Sequence, residues 1–179
     1  MTSAGRPLAL TLVPLRESDL SAGSPVLAEL TGLYAGNAAY HRLSGEFGPR
    51  PEAVLPGQVA AALREEAAVP GAEVLLARQG PDGPIVGLAA LLAEHPQDGH
   101  PWIGLLMVSA ALHRTGYGRA LAHAVEDRLR GEGRPAVRLA VLENNPGASA
   151  FWGALGYREI DRRRDRQAGR PCAVMHKEL

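Results

Sequence analysis

The chain has 179 residues, 46% of them hydrophobic, which is enough for one domain with a substantial core. Its formal net charge is zero, which excludes the global positive field of a protein that holds nucleic acid or an anionic membrane by electrostatics. The one cysteine, Cys172, excludes an internal disulfide framework, cannot by itself build a zinc site, and suits a reducing cytoplasm.

The first apolar run, LALTLVPL at 8–15, is too short to span a bilayer and has no small-residue cleavage site, so it reads as an edge strand. Residues 16–40 read as a first helix, with Ser18 and Asp19 as cap candidates and Leu27, Leu30 and Leu33 at helical spacing. The Gly- and Pro-rich stretch 45–57 reads as a flexible connection able to cover a cleft, and a helix follows over 58–68. The centre reads as a meander. Strands at 72–79 and 85–94 are joined by a turn at 81–84, and a third strand, WIGLLMV, follows at 102–108.

Beyond it, HRTGYGRAL at 113–121 opens a helix with Leu121, Val125 and Leu129 on one face, ended by Gly131 and Gly133. A strand at 136–143, a short helix at 147–155 started by Asn145-Pro146, and two strands at 157–164 and 172–179 complete the chain. No internal repeat or linker divides it, so residues 1–179 read as a single domain.

A glycine-rich loop between a strand and a helix aims unpaired backbone N–H groups at the positive end of the helix dipole, which suits phosphate oxygens. Two glycines alone serve a tight turn or close packing as readily as a ligand. The chain lacks the Gly-Lys-Ser/Thr of a Walker loop, and Leu121 stands where a dinucleotide loop needs its third glycine.

The segments LLMVSAALHRTGYGRAL and LAVLENNPGASAFWGALGYREI together resemble the GCN5-related N-acetyltransferase (GNAT) family. The family's Gln/Arg-x-x-Gly-x-Gly/Ala signature falls on His113, Gly116 and Gly118, with His113 departing from it. Its Asn-x-x-Ala-x-x-x-Phe/Tyr-x-x-x-Gly-Phe/Tyr pattern falls on Asn145, Ala148, Trp152, Gly156 and Tyr157. The match covers about residues 85–179; the N-terminal half follows only in its order of elements.

The resemblance implies an α/β mixed sheet of about seven strands, a central antiparallel meander with strands 4 and 5 splayed apart, and about four flanking helices. It implies acetyl-CoA as cosubstrate, its pyrophosphate held by loop residues His113, Arg114, Thr115, Gly116, Tyr117, Gly118 and Arg119. Its pantetheine arm would pair with the backbone of Met107 and Val108 and lie against Asn145 and Trp152. The implied reaction is direct attack of a primary amine of a small molecule or peptide on the thioester in a ternary complex.

The family's usual tyrosine proton donor is replaced here by Trp152, whose indole is far too weak an acid. Tyr117 and Tyr40 are the candidate substitutes, with ordered water a third source. Glu94, His95 and the pair Tyr40-His41 are the candidates beside the acceptor site, with Glu94 foremost as a base. The competing reading is a catalytically weak acyl-CoA-binding regulatory or structural module.

Cys172 reads as a packed thiol rather than a nucleophile. The arginine-rich stretch 157–170 carries Glu159, Asp161 and Asp165 and no interleaved aromatics, so it reads as a solvated hairpin rather than a nucleic-acid stripe. His100, His123 and His176 are too scattered for metal ligation. The partners implied are a small-molecule or peptide amine, with no nucleic acid, membrane or metal, and a homodimer left open.

Overall fold

A computed structural model describes residues 8–165 and 168–179. The elements are β1 (Thr11–Pro14), α1 (Pro25–Gly36), α2 (Ala38–Ser44), α3 (Pro56–Ala68), β2 (Ala72–Arg78), β3 (Ile85–Leu92), β4 (Trp102–Val108), α4 (Tyr117–Gly131), β5 (Ala136–Leu142), α5 (Pro146–Ala154), β6 (Arg158–Arg164) and β7 (Pro171–Glu178). Short 3-10 turns lie at Glu17–Leu20, Pro51–Ala53 and Ala110–Leu112.

The seven strands form one mixed sheet in the order β1-β2-β3-β4-β5-β7-β6, with β4 and β5 parallel and every other neighbouring pair antiparallel. β3 lies inside the sheet and is covered on both faces, which is why its sequence IVGLAALL is apolar without alternation. One face packs against α1 and α3 through Leu27, Leu30, Leu63, Leu76 and Leu88. The other packs against α4 and α5 through Leu121, Val125, Leu139, Trp152 and Tyr157. β6 is an edge strand of mostly exposed charged residues, a composition that discourages edge-to-edge pairing. Among the described residues no helix is long and apolar enough to cross a membrane.

The expected single helix over 16–40 is two helices. Ser24, with Pro25 behind it, caps α1, while Asp19 accepts a hydrogen bond from Arg16 N at 2.8 Å and closes the preceding 3-10 turn. The break falls at buried Asn37, whose Nδ2 donates to Leu33 O at 2.9 Å and to Val108 O at 3.0 Å. A tether from the end of α1 to the end of β4 thus turns the chain.

The 45–57 connection is a folded turn. Gly45 terminates α2 in the left-handed region, and Phe47 tucks its ring against His41 with centroids 4.8 Å apart. With α3 counted from Pro56, the described residues form five α-helices, in keeping with the about four expected.

Candidate active site

The site begins with a break in pairing. β4 and β5 are in register only at Trp102↔Arg138 and Ile103↔Leu139. Across β4's other edge, Leu91 pairs with Ile103 and Ala90 with Leu105, which leaves Gly104 as the extra residue of a bulge. Bulge and splay coincide, and the gap between the strands opens at Gly104 on one side and Ala140 on the other. Three cavities, of about 130, 540 and 400 Å3, share Gly104 and Ala140 as common wall.

The smallest is a cleft between the separated strands, lined by Leu105, Leu106, Val141, Leu142, Asn145 and Trp152 among others. Backbone direction on its β4 side follows from the ladder. Ser109 N donates to Val86 O at 2.8 Å, so the two-residue antiparallel alternation turns Met107 toward β3 and Leu106 and Val108 toward the gap. Of the expected backbone pair, Met107 is therefore engaged with β3, and the residues turned to the gap are Leu106 and Val108. The Val108 carbonyl already accepts Asn37 Nδ2 and lies 3.1 Å from His113 Nε2, which leaves its N–H on the gap side.

The loop from β4 to α4 is held by local bonds. His113 turns its ring back onto Val108 rather than outward, Thr115 Oγ1 donates to Leu112 O at 2.6 Å, and Arg114 and Gly116 take φ of +64° and +94°. The intrahelical ladder starts with Ala120 N to Gly116 O, so the amides of Tyr117, Gly118 and Arg119 point out of the helix start.

Gly118 lies against Phe151; a Cβ there would come within 3.3 Å of its ring. On the opposite wall Asn145 caps α5 by accepting from Ala148 N at 3.1 Å, and its amide nitrogen faces no such duty. Trp152 is buried, edge-on to Tyr157 at 4.9 Å.

Helix α2 spans the gap. Asn37 ties its start to β4, Asn144 Nδ2 donates to Leu43 O at 3.1 Å, and Arg170 Nη1 donates to Ser44 O. Tyr40 is thereby placed where the cleft meets the largest cavity and lines both. Burial and, secondarily, the charge of Glu46 push its phenol up to about 12.

The largest cavity is lined by aromatic residues, Tyr34, Tyr40, His41 and Phe47, and by the acids Glu46, Glu65 and Glu66, with Glu46 against His41. Hydrogen bonds from His41 and Ser44 hold Glu46 below the usual carboxylate range. Glu66 is raised, first by burial and then by the charges of Glu46 and Glu65. One of its carboxylate oxygens lies 3.9 Å from where a Cβ on Gly104 would stand. His41 is 1% exposed, stacked on Tyr34 with centroids 5.3 Å apart, and its Nε2 has no partner among the described residues.

Two expected catalytic residues lie elsewhere. Tyr117 is buried in the apolar core under α4 and lines none of the three cavities, because the first helical position points inward. Glu94 lies past the end of β3, which stops at Leu92, and pairs with Arg134 at 3.0 Å. His95 does face the third cavity, stacked on Trp102.

Cys172 is buried at the wall shared by the two larger cavities, and burial pushes its thiol up, away from a thiolate. The sequence reading missed Gly104 and Glu66. An isolated glycine inside the strand run WIGLLMV is a bulge signal, whereas Glu66 is one of two adjacent acids on a helix and carries no signal at all.

The model of the acetyltransferase (GNAT) family matches residues 38–157. No curated protein matches the chain. An acetyltransferase from Thermus thermophilus is similar in structure, with 22% identity, TM-score 0.72, and 97% of this chain and 99% of that chain covered. A GCN5-related N-acetyltransferase from Kribbella flavida gives 24% identity, TM-score 0.62 and coverage of 97% and 100%. A GNAT family acetyltransferase from Elizabethkingia anophelis, solved with acetyl-CoA bound, gives 16%, 0.60, and 95% and 98%. Likeness at these identities establishes the shared fold, and the family model spans two motifs that meet at the gap between β4 and β5: the chain belongs to the GNAT family of acetyltransferases.

Proposed function

We propose that this chain, acting as one domain, transfers an acetyl group from acetyl-CoA to a primary amine of a small molecule or peptide in a ternary complex. The observation that carries the reading is the convergence of three cavities on Gly104 and Ala140, one shaped as a narrow cleft and one walled by acids and aromatics. Acetyl-CoA fits what the residues offer: outward amides at the start of α4, a positive-φ glycine before them, and β4 backbone turned into the cleft. It would supply an acetyl group activated as a thioester.

The chain's own residues have separable tasks. The amides of Tyr117, Gly118 and Arg119 hold pyrophosphate; the backbone of Leu106 and Val108 and the Asn145 amide orient the pantetheine arm, and Trp152 packs beside it. Glu66 takes the proton that an ammonium must lose before its nitrogen bonds to the acetyl carbon. As the carbon–sulfur bond breaks, Tyr40 gives its phenolic proton to the sulfur and recovers one from solvent. A phenol held up to about 12 is fully protonated at neutral pH, which suits a donor.

The competing reading, a binding module without turnover, has no use for a phenol and a raised carboxyl facing one junction. Thiol release from acetyl-CoA across a panel of primary amines decides between them. We expect amine-dependent release whose rate climbs with pH as Glu66 ionises, on a limb lying above the ordinary carboxylate range, and Glu66→Gln to remove that limb. Tight CoA binding with no release for any amine would overturn the reading.

Asn145→Ala separates two roles of one side chain. Loss of the cap costs about 1 kcal/mol of stability. Loss of the arm contact raises the KM for acetyl-CoA as well, and thermal melts beside initial rates read the two effects independently. A stability loss with unaltered KM leaves Asn145 as a cap only.

A further inference from the structure

The third cavity differs in chemistry from the other two. It runs from Glu66 and Gly104 over Ala140 and Cys172 to Trp102, Arg163 and Arg164, and it shares Glu66, Gly104, Ala140, Asp165 and Cys172 with the acidic cavity. Arg163 stands on edge strand β6 yet reaches back across the sheet, with its guanidinium carbon 4.8 Å from the centre of the Trp102 ring on β4.

Its described polar contact is neutral, Nη1 to Gln97 Oε1 at 2.9 Å, and Arg164 Nη1 donates to Gly169 O at 2.7 Å. Neither arginine is in an ion pair among the described residues. The nearby acids are already engaged, Asp165 with Arg170 at 2.5 Å and Asp98 with Arg138 at 2.9 Å. Two guanidiniums without carboxylate partners among the described residues therefore line a cavity that shares Glu66 and Gly104 with the acidic one and so opens onto the site proposed for acetyl transfer.

We propose that this cavity is a subsite for an anionic group on the acceptor, so that the substrate is an amine carrying a carboxylate. The inference rests on the N-acetyltransferase reading above, in which Glu66 takes the ammonium's proton and the amine therefore sits beside Gly104. Trp102 is two residues from Gly104 along β4, about 7 Å at roughly 3.3 Å per residue, and this rise sets the scale of the separation between the nitrogen and an anion held over the Trp102 ring. A dipeptide spans that distance between its amine and its carboxylate, as does an amino acid with about five methylenes between the two groups. Arg163, splinted on the indole face and on Gln97, is held for a fork-like contact with the carboxylate, and the acids around Glu46 and Glu66 receive the ammonium at the other end.

The test measures KM with acetyl-CoA for 6-aminohexanoate, an alanine dipeptide, glycine and hexylamine, in the parent chain and in Arg163→Gln/Arg164→Gln. In the parent, 6-aminohexanoate and the dipeptide have KM at least about tenfold below hexylamine, and glycine, too short to reach both ends, has no such advantage. The order of the first two tells a free amino acid from a peptide. The double variant, altered on an exposed edge strand, brings the ratio between 6-aminohexanoate and hexylamine to within about twofold.

Turnover of hexylamine without preference for the anionic acceptors, or a preference untouched in the variant, overturns the subsite and leaves acetyl transfer standing. If no amine is turned over, calorimetry of 6-aminohexanoate on the CoA complex decides the matter: heat that vanishes in the variant supports the subsite, and no heat in the parent ends it.

Discussion

Tyr40→Phe lowers kcat by about a hundredfold or more with KM for acetyl-CoA little changed, the scale expected when a positioned general acid is lost. The ring remains, so its edge-on packing against His41 at 5.3 Å is kept and the variant folds. What disappears is the one titratable side chain, among the described residues, that lines both the cleft between β4 and β5 and the largest cavity. With its phenol held up to about 12, the parent loses no donor as pH rises through neutrality, so its rate shows no alkaline fall until near that value. Single-turnover rates with stopped-flow thiol detection measure the chemical step directly. A fall of less than about threefold would mean that solvent protonates the sulfur, and Tyr40 would revert to a wall.

The contrast between Tyr40 and Tyr117 shows what the sequence carried and what it did not. Strands and their order were legible because buried runs such as IVGLAALL and WIGLLMV announce themselves by composition, and the two glycine- and asparagine-led motifs located the gap. Nearness in sequence then favoured Tyr117, four residues past His113, but helix geometry turns the first residue of α4 into the core.

Tyr40 arrives from the other end of the chain because Asn37, three residues earlier, reaches Val108 across 71 positions. No local pattern encodes that bond. The same tether broke the expected first helix, so one buried asparagine accounts for both a misread element and the placement of the residue proposed as acid. Glu94 failed for a simpler reason: β3 ends two residues early, and Arg134 is at hand. The cavity's long-range pair of Arg163 and Trp102 lies on strands three places apart in the sheet, and a charged run on an edge strand reads locally as solvated surface.

Gly118→Val weakens CoA binding by about 2 kcal/mol or more, roughly thirtyfold, because side-chain carbons enter the space through which the first-turn amides approach a phosphate. Gly118 also has a packing neighbour: a Cβ would meet the Phe151 ring at 3.3 Å, so the substitution presses on α5 as well as on the ligand space. The two causes separate by relief of the second. Phe151→Leu shortens the side chain that must give way, and in the Gly118→Val background it restores whatever the clash with α5 cost. Calorimetry with CoA on both variants, each checked by thermal melt, therefore reads a cradle effect as affinity that stays low in the double variant while stability recovers. Recovery of affinity along with stability would assign Gly118 to helix packing alone, and the anion site at the start of α4 would have to rest on Gly116, whose φ of +94° is left-handed backbone that favours glycine.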